Sequence, residues 1–323
     1  MNANDVDRDL PLALNARGVT RRDFMQFCGL MAAVLGLPPM FTSRIAKAIE
    51  SWGPFGLGRR PSVLWLNLQG CTGCTESFTR ADHPSVSQVV LESISLDYHE
   101  TLMAAAGKQA ETAQATVMKE NWGKYILIVE GSVPTAEGGI YCTIGGKSGV
   151  DVIREMAEGA AFVLVVGSCA YFGGLPSARP SPTSAKGVDQ IVKGKPIVNI
   201  PGCPPIGDVI MATIVHFLLF GKPPSLDSER RPLFAYGKFV HDQCERRAHY
   251  EAGEMAVEFG DEDYRKGYCL WALGCKGPVT RNACPVIRWN MGTAWCVGSG
   301  HPCVGCTERD FWDKLTPIYT TSG

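Results

Sequence analysis

The sequence is short of net charge, of long apolar runs and, in its last third, of regular periodicity. Lys plus Arg number 31 against 32 Asp plus Glu in 323 residues, a formal net charge of −1. That balance leaves no electrostatic footprint for nucleic acid or an anionic membrane surface. Beyond the N-terminal region no stretch reaches the ~18 unbroken apolar residues that a spanning helix needs, so the mature chain is expected to lack one. At 45% hydrophobic and 20% charged, the composition suits one large globular domain or two smaller ones. The excess lies elsewhere, in 13 cysteines and 36 glycines, many of them side by side. So many thiols in a chain of this length point to chemistry or cross-linking.

The N-terminal region reads "TRRDFMQ" (20–26), then "FCGLMAAVLGLPPMF" (27–41). Arg21 and Arg22 ahead of a modest apolar stretch are the pattern of a twin-arginine export signal. The stretch is interrupted by Pro38 and Pro39 and falls short of the roughly 20 residues of a membrane anchor. "AKA" (46–48) offers small residues for cleavage after Ala48, so residues 1–48 are expected to be a signal peptide, with Cys28 leaving in it. Export ordinarily favours disulfides, but the twin-arginine route carries proteins already folded.

"SVLWLNL" (62–68), "YILIVEG" (125–131), "FVLVVG" (162–167) and "PIVNIPG" (196–202) are short and apolar on both faces, as central parallel strands are. Helical patterns alternate with them, among them "GVDVIREMAEGA" (149–160) and "DVIMATIVHFLLFG" (208–221). The alternation predicts a doubly wound α/β domain over residues 55–235. Cys71 and Cys74, Cys169, and Cys203 each follow a strand, and in such sheets the ligand crevice lies past the carboxyl ends. Glycines 70, 167 and 202 are expected to make the sharp turns there. Four thiols from three loops converging on one crevice look like a metal site.

After residue 236 the alternation fades. His241, Cys244, Cys269, Cys275, Cys284, Cys296, Cys303 and Cys306 fall in a segment broken by Pro278, Pro285 and Pro302. With little periodic core, residues 236–323 should depend on what their cysteines bind.

Disulfides, zinc, a redox pair and iron–sulfur clusters all compete for these thiols. A disulfide across C-x2-C closes too small a loop to constrain the unfolded chain much, and it leaves His241 without a role. A redox pair at 71 and 74 has no use for Cys169 and Cys203. Zinc sites usually nest ligand pairs close in sequence, whereas clusters accept thiolates from distant loops, sometimes with histidine. Clusters therefore stand ahead of zinc, and the twelve donors divide into three sets of four.

A series of motifs then resembles one family, the small subunit of periplasmic or membrane-associated uptake-type nickel–iron hydrogenases. It runs through "CTGCTES", "LDYHETLMAAAG" (96–107), "GSCAYFGG" (167–174), "NIPGCPP" (199–205), "VHDQC" (240–244), "GYCLWALGCKGP" (267–278) and "GHPCVGC" (300–306). The resemblance implies a flavodoxin-like domain followed by a smaller, largely irregular cluster domain, and an electron-transfer role. Cys71, Cys74, Cys169 and Cys203 would hold a proximal 4Fe–4S cluster. His241, Cys244, Cys269 and Cys275 would hold a distal 4Fe–4S cluster. Cys284, Cys303 and Cys306 match the medial ligands; many relatives have proline where this chain has Cys296, so a fourth thiolate and a medial 4Fe–4S rather than 3Fe–4S cluster are expected.

The same resemblance implies a large-subunit partner that carries the nickel–iron centre, so no residue here is catalytic by itself. The electrons would leave, in the periplasm, to an external acceptor that the sequence does not name, a cytochrome or an iron–sulfur or membrane protein, and a dimer of heterodimers is compatible. Oxygen-tolerant relatives have extra cysteines where this chain has Gly73 and Gly174, so an ordinary proximal cubane is expected. Gly70 stands where many relatives have glutamate. The alternatives are a respiratory-complex-like iron–sulfur subunit, which the C-terminal donor array disfavours, and a zinc- or disulfide-stabilised secreted binding protein. Cys142 is read as a buried structural thiol and His216 as a core histidine. His83, His99, His249 and His301 lack the partners that His241 has, although His301 could hydrogen-bond near a cluster. Glu76 is a candidate for a partner interface.

Overall fold

A computed structural model describes residues 21–46, 61–81 and 94–316. The cleavage position after Ala48 and His83 lie outside them. The centre is a sheet of β1 (Ser62–Asn67), β2 (Ser95–His99), β3 (Ile126–Glu130), β4 (Phe162–Val166) and β5 (Ile197–Ile200), ordered β2-β1-β3-β4-β5 with every pairing parallel. This is the flavodoxin-like order, and it reverses direction between β1 and β3. Four strands fall on the expected runs. The edge strand β2 is an addition to them, because "SLDYH" is half polar; only Tyr98 and His99 in it are buried.

The helices include α1 (Arg21–Val34), α2 (Gly73–Thr79), α3 (Lys108–Glu120), α4 (Gly149–Glu158), α5 (Ser168–Phe172) and α6 (Gly207–Phe220). Alternate strand residues bury opposite faces. Val63, Trp65, Ile128 and Leu164 pack with α1, α2 and α6, whereas Leu64, Leu66, Leu127 and Val163 pack with α3, α4 and α5. The start of α4 is fixed by Ser148, whose hydroxyl accepts the Asp151 N–H at 3.2 Å. Its buried residues Val152, Ile153, Met156 and Ala157 share one face.

Helix α6 is apolar nearly all round, so one sheet face cannot bury it. Its second cover is the N-terminal segment: Cys28, Met31 and Ile45 are fully buried in the same core, α1 packs on α6, and the Phe41 and Phe220 rings lie 6.4 Å apart. Arg22 stays exposed. Among the described residues no helix is long and apolar enough to cross a membrane.

Among the described residues beyond Tyr236 only short turns of helix occur, such as Arg247–Glu251 and Glu262–Arg265. The irregular segment is nonetheless continuous with the sheet core through Ala256, Leu270, Trp295 and Val297.

Candidate metal centres

The sheet order brings the β1, β4 and β5 loops to one edge, and with them the first four thiols. Cys71 lies in the turn after β1 and Cys74 in the first turn of α2; Cys169 is the second residue of α5; Cys203 follows β5. In the first loop the left-handed residue is Thr72, at φ 65°, and Gly70 is not among the positive-φ positions. Gly167 does carry the expected strain-free turn, at φ 90°, and a Cβ there would lie 2.4 Å from Cys74 Sγ. Burial pushes the Cys74 thiol well up, and Glu130, Cys169, Cys203 and Cys71 push it further. Cys169 rises to about 12 through burial and then through Cys203 and Cys71. Cys203 is raised by burial and by Cys71. Thiolates gathered this closely are costly without positive charge among them, which a bound iron cluster would supply. Cys71 and Cys203 are exposed, so the site opens to one side.

A buried carboxylate supports this loop, one that residue type and spacing do not single out. Glu130, at the end of β3, is 3% exposed. It accepts from Trp65 Nε1 at 3.1 Å, Cys74 N at 3.0 Å, Thr75 N at 3.1 Å and Thr75 Oγ1 at 2.5 Å. Thr75 Oγ1 also meets His99 Nε2 at 3.2 Å, while Thr101 N donates to His99 Nδ1 at 3.3 Å. This network puts the imidazole proton on Nε2, and burial lowers the His99 pKa to about 4. The available signal is a lone carboxylate closing an apolar run, "YILIVEG".

His241, Cys244, Cys269 and Cys275 line one pocket together with Tyr250 and Trp271. Cys244 accepts the Arg246 N–H at 3.4 Å. Its thiol is raised by burial and by Cys275 and Cys269. The His241 ring meets Tyr250 edge-on at 4.6 Å, and Tyr250 meets Trp271 at 5.9 Å, reaching a surface where Trp271 is 44% exposed.

The remaining four thiols form a group between these two. Burial pushes Cys284 strongly up, followed by Cys303, Cys306 and Cys296. Cys306 is driven up by burial and Cys303, with the Cys203 N–H pulling the other way. Cys303 is raised to about 12 by burial, opposed by the Gly305 N–H and the Thr280 hydroxyl. Cys296 is brought into this set and also lines, with Cys203, Cys306 and Trp289, an open cavity of about 480 Å³.

The donor chemistry discriminates among the candidate fillings. None of the cysteines from Cys71 to Cys306 forms a disulfide. Among the described residues no three His, Cys, Asp or Glu side chains converge on one metal-ion position. A zinc site needs its donors at about 2.0–2.3 Å from one ion, whereas a cluster takes one donor per iron and spreads them. Sets of four thiols, or of three thiols and a histidine, drawn from separate loops are donor sets that an iron–sulfur cluster takes.

Gly73 and Gly174 both abut the first group: a Cβ would sit 3.1 Å from Cys71 Sγ at Gly73 and 2.7 Å from Cys169 Sγ at Gly174. Cys142 stands apart, half-buried, its thiol raised by burial and then Glu100. His216 is half-buried, with Nδ1 3.2 Å from Lys222 O and its ring against Phe220. His249 pairs with Glu254 at 2.6 Å. His301 Nδ1 faces the neighbouring Pro302 carbonyl at 2.8 Å rather than a thiol. Glu76 is exposed and pairs with Arg80.

Comparison with known proteins matches residues 236–319 to the C-terminal family of the NiFe/NiFeSe hydrogenase small subunit, and residues 71–217 to the 20 Kd subunit family of NADH ubiquinone oxidoreductase. The chain is 48% identical over 301 residues to the uptake hydrogenase small subunit of Azotobacter vinelandii, covering 93% of this chain and 82% of that one. It is 46% identical over 307 residues to the quinone-reactive Ni/Fe-hydrogenase small chain of Wolinella succinogenes, covering 94% and 85%. A chain in the crystal structure of the reduced, active Ni-Fe-Se hydrogenase from Desulfomicrobium baculatum is similar at TM-score 0.76 and 35% identity, covering 81% of this chain and 100% of that one.

Proposed function

The chain belongs to the small-subunit family of nickel–iron hydrogenases, and from that premise we propose how its twelve donors are divided and used. The protein relays electrons from hydrogen oxidation in a large-subunit partner to an external acceptor. Cys71, Cys74, Cys169 and Cys203 hold a proximal 4Fe–4S cluster; Cys284, Cys296, Cys303 and Cys306 a medial 4Fe–4S cluster; His241, Cys244, Cys269 and Cys275 a distal 4Fe–4S cluster. The observation that carries this reading is the grouping of the thiols into three adjacent sets, the first open to one side and the last beside an exposed aromatic.

Bound clusters supply one-electron chemistry at potentials set by cluster type, charge, hydrogen bonds to sulfur and exposure. The chain's own residues do the rest. Glu130 pins the Cys74–Thr75 backbone, the Arg246 N–H steadies Cys244 sulfur, and Thr280 faces Cys303 at 3.6 Å. The open proximal side, with Cys71 and Cys203 exposed, is where the large-subunit partner closes the site. His241 as a neutral ligand makes the distal centre less negative and raises its potential, which suits delivery outward. Trp271 and Tyr250 lead from it to the acceptor's face.

The twin arginine supports export by that route and a periplasmic location, with cleavage after Ala48. Residues 1–48 as signal, 55–235 as the sheet domain and 236–323 as the cluster domain complete the reading. Glycine at 73 and 174 supports an ordinary proximal cubane and an enzyme that is oxygen-sensitive or only weakly tolerant.

The deciding experiment is iron and acid-labile sulfide per chain in anaerobically purified heterodimer, with low-temperature EPR after oxidation. About thirteen irons per heterodimer are expected, twelve in the three clusters and one in the partner's nickel–iron centre, with about twelve acid-labile sulfides and no strong 3Fe–4S signal. Zinc-containing or iron-free protein would overturn the cluster assignment.

A further inference from the structure

Ser168 sits where two of the sites meet. It is 1% exposed and immediately precedes Cys169. Its hydroxyl donates to the carbonyl oxygen of Cys306 and accepts the N–H of Gly202 at 3.0 Å, one residue before Cys203. Its own N–H donates to the Gly202 carbonyl at 2.9 Å. One buried hydroxyl thus ties the β4 and β5 loops, which bear two proximal cysteines, to the loop that bears a medial one. A serine hydroxyl has one proton to give and lone pairs to receive, and here both functions are used.

The other junction is built the same way. The Cys303 N–H, on a medial cysteine, donates to the sulfur of the distal Cys275 at 3.3 Å, and Lys276 N donates to the Cys303 carbonyl at 2.7 Å. Each pair of neighbouring sites is therefore joined by hydrogen bonds between donor-bearing loops, not only by van der Waals contact.

We propose that Ser168 is a positioning residue for electron transfer: its hydroxyl fixes the separation of the proximal and medial sites and provides a hydrogen-bonded route between them. This rests on the assignment of Cys169, Cys203 and Cys306 as cluster ligands. Electronic coupling falls with distance and falls faster across a non-bonded gap than along covalent and hydrogen bonds. Without the hydroxyl, the Cys306 carbonyl and the Gly202 N–H are left buried and unpaired, and the loops relax apart. The hydrogen bonds of the Ser168 hydroxyl go to backbone groups of Cys306 and Gly202 and not to sulfur, so its effect is on coupling between centres.

The test uses the anaerobically purified heterodimer with Ser168→Ala, Ser168→Thr and Ser168→Val, Val having Thr's shape without its hydroxyl. Three quantities are read: iron per chain, the EPR splitting from spin coupling between reduced proximal and medial centres, and the rate of medial reduction after rapid mixing with hydrogen. The expected result is wild-type iron in the Ala and Val variants with the splitting lost and medial reduction slowed, and recovery of both in the Thr variant. Loss of medial iron in Val but not in Thr also supports the proposal, because only the hydroxyl separates them. Wild-type splitting and rate in Ala and Val at full iron overturn it, as does equal loss of iron in all three. Iron-free wild-type protein would strike the ligand assignment instead.

Discussion

Replacing Glu130 with alanine tests whether the proximal loop is held by one buried carboxylate. The substitution removes the acceptor for Trp65 Nε1, Cys74 N and Thr75 N, at 3.1, 3.0 and 3.1 Å. The Thr75 hydroxyl loses its acceptor as well, because His99 Nε2, 3.2 Å away, donates to that oxygen and cannot take its proton. Four donors left unpaired cost about 1–3 kcal/mol each, hence ~4–12 kcal/mol as a ceiling. The donors share one group, so the measured loss will fall below that sum. Against a total stability of about 5–15 kcal/mol for a folded domain, this is enough to unfold the loop. Glu130→Gln keeps one acceptor oxygen but turns an amide donor toward the others, so its loss is smaller, about 1.5–3 kcal/mol. The assay is urea denaturation of the heterodimer read at the midpoint, with iron per chain as a second readout. The expected order of stability is wild type, then Gln, then Ala, with proximal iron lost first. An alanine variant with full iron and stability within about 0.5 kcal/mol of wild type would refute the role given to Glu130.

Cys296→Ser is expected to convert a four-iron medial centre to three, lowering iron by about one per chain and producing a 3Fe–4S signal on oxidation; unchanged iron and spectrum would make Cys296 a spectator. His241→Ala should remove about four irons at the distal site while leaving the proximal and medial signals, and a variant with full iron would exclude His241 as a ligand. Met31→Asp puts an unpaired charge in the α1–α6 contact, a cost on the order of 3–5 kcal/mol, so the uncleaved chain should melt lower than its parent; an unchanged midpoint would show that α1 does not pack there. His99, facing Thr75 and Thr101 with Glu130 and Glu100 nearby, stays neutral in the fold down to about pH 4. Its pKa is lowered on folding, so the unfolded chain binds more protons between about pH 6.5 and 4 and stability falls as pH drops through that window. His99→Gln should flatten that part of the pH–stability curve, and an unchanged slope would exclude His99 as its source.

The sequence alone determined the fold class, four of the five strands and the helices at α4 and α6, because each is written in a local period. It also determined the twelve candidate donors, because residue type and short spacing carry ligand chemistry. The edge strand β2 has no such signature: half its residues are polar, and it exists because β1 offers it backbone partners. The packing of α1 has none either, since an apolar leader and an apolar core helix look alike along the chain, and only the exposed side of α6 gave this one a place to bury. Tertiary structure alone decided which loops share a site. The order β2-β1-β3-β4-β5 brings the ends of β1, β4 and β5 to one edge, places Glu130 beneath Cys74, and sets Ser168 between Gly202 and Cys306. Those contacts join residues from 34 to 138 positions apart, and no local pattern encodes such a meeting; it follows from strand order and from the need of buried polar groups to find partners.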